Sequence, residues 1–315
     1  MNEPLPPVVA IMGATGTGKT DLAVELVERL QAGIISVDSA MVYRGLDIGT
    51  AKPDAGTLAR APHRLIDICD AAESYSAARF RRDALEAIEA VRAEGRLPLL
   101  VGGTGLYFRA LEQGLAELPP AVPELRRRLQ EQWRRLGAQA MHRRLREVDP
   151  EAAARIHAND PQRLLRALEV YETTGEPLSR LLRASPATPP PFRILRIGLR
   201  PPSREWLHGR LERRFRRMLE RGLVEEVERF YRRGDLSPAC PSMRMVGYRQ
   251  VWQYLAGELE YGQMVERAVI ATRQLAKRQQ TWFRGVEGIH WFEARDPGLT
   301  ASAGSLVERF LTGRG

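Results

Sequence analysis

Apolar residues fall along this chain in short continuous runs separated by longer stretches of helical spacing. The runs cover residues 8 to 12 (VVAIM), 34 to 37 (IISV), 65 to 68 (LIDI), 97 to 101 (LPLLV), 194 to 199 (ILRIGL) and 289 to 292 (IHWF). Between the early ones, residues 19 to 31, 76 to 94 and 105 to 113 carry the three-to-four-residue apolar period of helices. Short apolar runs bounded by turn residues predict buried strands, and their alternation with helices predicts a parallel sheet covered on both faces. Ligands of such a sheet bind beyond the C-terminal ends of its strands, so the residues just after each run are the ones to inspect.

From about residue 120 to 185 the strand pattern disappears. The segments PELRRRLQEQWRRLGAQAMHRRL, DPEAAARI and DPQRLLRALEVYETTG read as helices alone, with Asp149-Pro150 and Asp160-Pro161 as starts and Gly175 as a stop. SPATPPPF (185 to 192) then leads back to a strand, and two more helical stretches with basic faces follow. The expected organisation is a core of residues 1 to 117 and 198 to 315, interrupted by an all-helical insertion at 118 to 197.

Directly after the first strand stands GATGTGKT, residues 13 to 20, which fits G-x-x-x-x-G-K-[ST]. Strand, loop and helix follow in the order this loop requires, in which backbone amides ahead of a helix N-terminus cradle phosphate oxygens. The fold class is therefore α/β, a P-loop NTPase-like parallel sheet with a helical insertion. The loop identifies phosphates without saying whose they are.

Charge sharpens this picture. The net charge of +9 divides into −3 over residues 1 to 115, +5 over 116 to 198 and +7 over 199 to 315. A basic remainder behind a mildly acidic phosphate-loop segment favours a polyanionic partner; the plainer alternative is a solvated arginine-rich surface. Only Lys19, Lys52 and Lys277 are lysines, against 45 arginines, which singles out positions where a compact ammonium is needed rather than a planar guanidinium. Cys69 and Cys240 form no C-x-x-C pair and the five histidines lack ligand spacing, which argues against a zinc site or disulfide framework. No 18-residue apolar run occurs and the N-terminus lacks a basic start with a long apolar stretch, so a cytoplasmic protein without a membrane partner is expected.

Three further segments carry candidate chemistry. Asp38 follows the second strand and opens DSAMVYRGLDIGTAKP; a carboxylate there can take a proton or assist Mg²⁺, or with Ser39 it caps a helix. After the run at 97 to 101, where an ATPase of this fold commonly carries an acidic residue, stand Gly102, Gly103 and Thr104, which weakens an ATPase reading; Thr104 alone would do as a helix cap. SMRMVGYRQVW (242 to 252) pairs Arg244 and Arg249 with Tyr248 and Trp252, a mixture suited to unpaired RNA, or an ordinary helix with both aromatics in the core.

In this order, GATGTGKT, DSAMVYRGLDIGTAKP, VGGTGLY, NDPQRLLRALEVYETTG, RFRRMLERGLVEEV, MRMVGYRQ and ATRQLAKRQQTWFRG resemble the tRNA dimethylallyltransferases (tRNA isopentenyltransferases) of the bacterial type, over nearly the whole chain. The resemblance implies transfer of a dimethylallyl group from its diphosphate to the exocyclic N6 amine of the adenosine 3′ of the anticodon, position 37, in tRNAs reading codons that start with U. It implies that Gly13, Ala14, Thr15, Gly16, Thr17, Gly18, Lys19 and Thr20 hold the diphosphate, with the Thr20 hydroxyl joining Mg²⁺. Asp38 becomes the general base, Lys19 steadies the leaving diphosphate, and Thr104 contacts the reacting centre or the diphosphate. The implied tRNA contacts are Asp38, Ser39, Ala40, Met41 and Thr104, then Arg126 with Gln162, Arg163, Leu164, Leu165 and Arg166. They continue at Arg244, Met245, Val246, Gly247, Tyr248 and Arg249, and at Lys277, Arg278 and Arg284. Met245 stands where relatives often carry another residue. A monomer acting on dimethylallyl diphosphate and the anticodon stem-loop is expected, the base being extruded to reach the enzyme. Three alternatives stay open from sequence: a P-loop kinase or NTPase, a prenyltransferase of free adenylate, and an RNA-binding protein without catalysis.

Overall fold

The structure, a computed structural model, describes residues 5–116, 118–120, 122–184 and 189–313. The expected boundary at residue 117, the first part of SPATPPPF and residues 1–4 of the N-terminal segment lie outside the described residues.

Two compact units divide the chain, one made of Met1–Glu112 and Pro190–Gly315, the other of Gln113–Pro189. The first holds β1 (Pro7–Gly13), α1 (Lys19–Leu30), β2 (Ala32–Val37), α2 (Ala55–Arg60), β3 (His63–Arg64), α3 (Ala77–Ala93), β4 (Leu97–Gly102) and α4 (Gly105–Gln113). The second contains α5 (Pro123–Val148), α6 (Pro150–Arg155), α7 (Pro161–Thr174) and α8 (Leu178–Ala184). The first unit resumes with β5 (Arg193–Arg200), α9 (Arg204–Glu220), α10 (Leu223–Tyr231), α11 (Tyr248–Leu255), α12 (Tyr261–Arg284), β6 (Ile289–Glu293) and α13 (Leu299–Thr312). The return to the sheet comes earlier than the expected boundary at 197, which would have cut β5 in two.

All pairings in the sheet are parallel, in the order β3-β2-β4-β1-β5-β6. Strand geometry sends successive side chains to opposite faces. Val8, Ala10 and Met12 therefore pack with Phe80 and Ile88 of α3, Phe108 of α4 and Phe283 of α12. Val9 and Ile11 pack with Leu22 and Leu26 of α1 and Ala303 and Val307 of α13. Being buried on both sides is why β1 reads as a continuous apolar run.

One expected strand does not form. Only His63 and Arg64 pair with β2, and the LIDI run after them turns away. Leu65 and Asp67 adopt left-handed backbone at φ 63° and 56°, incompatible with an extended ladder. The amides of Ile68 and Cys69 instead donate to the Val42 carbonyl at 2.9 Å, tying the segment to the loop after β2.

In the helical unit the expected stops and starts are where the caps form. Asp149 accepts from the Ala152 amide and Asp160 from the Arg163 amide, while Gly175 ends α7 in the left-handed conformation. α5 is broken by Gly137, whose φ of 80° is not helical. Leu129, Met141, Leu145, Leu164 and Leu168 form this unit's own core.

Candidate active site

The phosphate loop joins β1 to α1 at the C-terminal edge of the sheet. Gly13 has no room for a side chain, since a Cβ there would lie 2.7 Å from the Leu199 carbonyl oxygen. Gly18 enters α1 at φ 88°, a conformation that glycine adopts without strain. The Thr17 hydroxyl donates to the Ala14 carbonyl at 2.9 Å, and Lys19 Nζ donates to the same oxygen at 2.8 Å. Burial lowers the Lys19 pKa to about 8, opposed by the charge of Asp38 and reinforced by Arg214.

Thr15 is held from two directions. Its amide donates to Gln279 Oε1 on α12 at 2.8 Å, and its hydroxyl accepts from Arg214 on α9 at 2.8 Å. Because that amide is engaged, and the Thr17 amide donates to the Ala14 carbonyl at 3.4 Å, the open donors for an anion are the amides of Gly16, Gly18, Lys19 and Thr20. Gln279 Nε2 also donates to the Gly103 carbonyl at 3.0 Å, so one carboxamide ties the phosphate loop to the loop after β4.

The residues after β2 and β4 lie side by side. Asp38 Oδ1 accepts from the Ala40 amide at 2.8 Å. Thr104 Oγ1 accepts from the Ser39 amide at 3.1 Å, and the Thr104 amide donates to the Val37 carbonyl at 3.3 Å. A Cβ at Gly102 would come within 2.0 Å of the Val37 carbonyl oxygen, so no carboxylate can stand there. The absence of an acidic residue after β4 is thus imposed by the close approach of two strands.

Two cavities meet at these groups. One, of about 550 Å³, is polar and lined by Lys19, Thr20, Lys52, Arg210, Arg217 and Arg221 together with Asp38. The other, of about 460 Å³, brings Ser39, Thr104, Arg244 and Arg278 together with Phe215, Met218 and Trp282. Thr15, Asp38, Thr50, Gly103, Arg214 and Gln279 line both. Burial, together with Arg210 and Arg217, lowers the Arg214 pKa against the attraction of Asp38. Crowded, desolvated cations of this kind form a site for an anion.

The structure separates the remaining candidates. Met245, Val246 and Gly247 line the second cavity, whereas Arg249 is exposed away from both. Tyr248 also borders the second cavity, but it is fully buried and its hydroxyl donates to Glu226 at 2.5 Å, so its ring is core rather than a surface for RNA stacking. Lys277 and Arg284 line a third cavity beside neither Asp38 nor Lys19. In the helical unit, Gln162 and Arg163 are exposed at the start of α7, while Leu164 and Leu165 are buried in its core and cannot present side chains to RNA. Arg126 and Arg166 both pair with the buried Glu169, at 3.1 and 3.0 Å. Among the described residues no cluster of three His, Cys, Asp or Glu could hold a metal ion, and no helix is long and apolar enough to cross a membrane.

Sequence reading missed Arg214, Arg217, Arg221 and Gln279. The arginines sit within RFRRMLERGLVEEV, and a three-to-four-residue spacing of cations on a helix was the available signal. Gln279 carried none.

The chain resembles proteins of known type over most of its length. A family profile described as "IPP transferase" matches residues 41–286, and one described as "Isopentenyl transferase" matches residues 6–70. A protein named tRNA dimethylallyltransferase from Thioalkalivibrio sulfidiphilus is 59% identical over 294 residues, covering 93% of this chain and 92% of its own. The crystal structure of a full-length tRNA isopentenylpyrophosphate transferase from Bacillus halodurans superposes with a TM-score of 0.71 at 37% identity, covering 98% of this chain and 96% of that one. A eukaryotic dimethylallyltransferase acting on tRNA gives a TM-score of 0.81 at 27% identity, with coverage of 98% and 80%.

Proposed function

The chain belongs to the IPP transferase family, and from that membership and the site geometry we propose that it prenylates tRNA. In this reading the donor is dimethylallyl diphosphate and the acceptor is the N6 amine of adenosine 37, in tRNAs that read codons starting with U. One N–C bond forms, the allylic C–O bond breaks, a proton leaves N6 and diphosphate departs. The observation that carries the reading is that the phosphate-loop cavity and the more apolar second cavity share Asp38.

The diphosphate lies in the polar cavity, against the free amides of Gly16, Gly18, Lys19 and Thr20, the Lys19 ammonium and the arginines of α9. An allylic carbon becomes electrophilic as negative charge gathers on its leaving group, so donors already aimed at that charge lower the barrier. Lys19, partly desolvated and turned onto the Ala14 carbonyl in the free enzyme, exchanges that weak partner for the anion. The adenine enters the second cavity, where Asp38 accepts the N6 proton; the amine lone pair is delocalised into the ring, so this base matters. Thr104 holds the Ser39 amide and thereby the turn that aims Asp38.

Mg²⁺ fits this site. The Thr20 hydroxyl faces the polar cavity with no protein partner among the described residues, and a hard oxygen donor beside diphosphate oxygens is what Mg²⁺ prefers. When bound there, the ion would neutralise part of the departing charge. The basic insertion and C-terminal helices support an RNA partner, and a monomer suffices for the arrangement.

The test is the intact mass of an anticodon stem-loop RNA incubated with the protein, Mg²⁺ and either dimethylallyl diphosphate or ATP. A gain of one C₅H₈ unit is expected with the prenyl donor alone. Asp38→Ala should slow transfer by roughly 10²- to 10⁴-fold while sparing RNA affinity. ATP consumption without a mass gain would replace this reading by a kinase.

A further inference from the structure

Helix α12 divides two cavities. Thr272, Leu275, Arg278, Gln279 and Trp282 face the one that contains Asp38, whereas Arg273, Lys277, Gln280 and Arg284 face the third, of about 880 Å³. The family resemblance treats Lys277, Arg278 and Arg284 as one RNA-contacting run, but their positions around the helix send them to opposite sides of it. Whatever Lys277 and Arg284 touch is therefore not the base that reaches Asp38.

The third cavity has its own composition. Arg200 comes from the end of β5, Arg204 from the first turn of α9, Trp291 from the edge strand β6, and no Asp or Glu lines it. Arg273 pairs with Glu212 at 2.9 Å. Among the described residues Arg200, Arg204, Lys277 and Arg284 form no ion pair, although the charge of Arg204 is felt by its neighbour Glu205. His208 in the same wall is held below its ordinary value by burial and then by Arg273 and Arg204, against the opposing charge of Glu205. Beneath the cations lies an apolar floor that includes Leu207, Ala276 and Phe283. Trp291 remains 36% exposed over Gly198, where any Cβ would come within 2.6 Å of its ring. The glycine lets the indole lie along the sheet edge.

We propose that this cleft is a second RNA site, in which Arg200, Arg204, Lys277 and Arg284 bind phosphates of the tRNA and Trp291 stacks an unpaired base other than the one prenylated. It rests on the reading of tRNA as the substrate. Cations outside any ion pair, surrounding an exposed aromatic, suit an RNA strand, whose phosphates need charge and whose unstacked bases need a flat apolar face. Gly13 and Ala14 of the phosphate loop form part of the same wall, so RNA held here lies against the back of the loop that holds the donor.

The test uses the full chain with an anticodon stem-loop RNA. Binding of Arg200→Ala/Arg204→Ala and wild type is measured across a salt series, with inorganic diphosphate affinity as the control for an intact fold. The double variant should bind RNA more weakly, with a log–log salt slope shallower by about 2, one for each phosphate contact removed. Tryptophan fluorescence supplies the second readout: RNA should quench wild type more than Trp291→Phe. Unchanged RNA affinity and slope, with equal quenching in wild type and Trp291→Phe, would overturn the proposal. If the double variant loses diphosphate binding, the Trp291 comparison decides alone. Failure of the wild type to prenylate RNA would instead overturn the parent reading, so the two failures are distinguishable.

Discussion

The phenolic hydroxyl of Tyr248 donates to Glu226 at 2.5 Å, with both residues buried. The same carboxylate accepts from the amides of Asp47, Ile48 and Gly49 at 3.0, 2.8 and 3.1 Å. A single side chain on α10 thus gathers the loop beyond Asp38 and the start of α11, both on the rim of the candidate site. Gly49 is part of the fit, because a Cβ there would lie 2.5 Å from the Tyr248 ring.

Removing this acceptor should be severe. Glu226→Ala strands four donors and is expected to lower stability by ~3 kcal/mol or more, whereas Tyr248→Phe, which removes one hydrogen bond, should lose only ~1 to 2 kcal/mol. Urea unfolding of the two variants measures the difference. Similar small losses in both would show that water replaces the carboxylate.

Lys52 explains one of the three lysines. Its Nζ, on a side chain only 4% exposed, donates to the Tyr43 carbonyl at 2.6 Å, Asp47 at 2.7 Å and Asp67 at 2.5 Å. Three converging acceptors match the three protons of an ammonium, and a planar fork cannot reproduce that arrangement. Lys52→Arg should therefore raise the KM for the prenyl donor and lower the melting temperature despite conserving charge. Wild-type values for Lys52→Arg would show that charge alone matters there.

The pH dependence of donor binding follows from Lys19. Its pKa in the free protein lies near 8, below the usual lysine value, and an adjacent diphosphate favours the protonated form and raises it. Binding therefore takes up a proton above pH 8. Affinity for an unreactive prenyl diphosphate analogue should be flat below pH 8 and fall above it by about tenfold per pH unit until the pKa of the complex is reached. Calorimetry in buffers of different ionisation enthalpy would detect the proton uptake, and Lys19→Met should abolish it.

Gln279 should act as a positioning residue. It touches neither reacting atom in the proposed reaction, yet it bridges the Thr15 amide and the Gly103 carbonyl. Gln279→Glu keeps an acceptor for Thr15 and loses the donor to Gly103. We expect both Gln279→Glu and Gln279→Ala to lower kcat/KM by roughly 10- to 100-fold, the equivalent of ~1 to 3 kcal/mol. RNA affinity unchanged alongside that loss would identify positioning; unchanged kcat/KM would assign the bridge to structure alone.

The amino-acid sequence by itself determined the features whose causes lie within a few residues. The strand, phosphate loop and helix at residues 7 to 30, the Asp149 and Asp160 caps, the Gly175 stop and the position of Asp38 after β2 all arise from local backbone preference and apolar period. Even there the LIDI run does not continue as a strand, because an apolar run does not report the left-handed backbone of Leu65 and Asp67. Tertiary structure alone decided the rest. Thr15 and Gln279 stand 264 positions apart, and Glu226 meets a loop almost 180 positions before it. It also decided that Tyr248 is core, that Gly102 excludes an acid and that α12 sends Lys277 and Arg278 to different cavities. A lone polar side chain leaves no periodic trace in a sequence, and its partner is set only when packed helices and strands bring distant backbone within hydrogen-bonding distance.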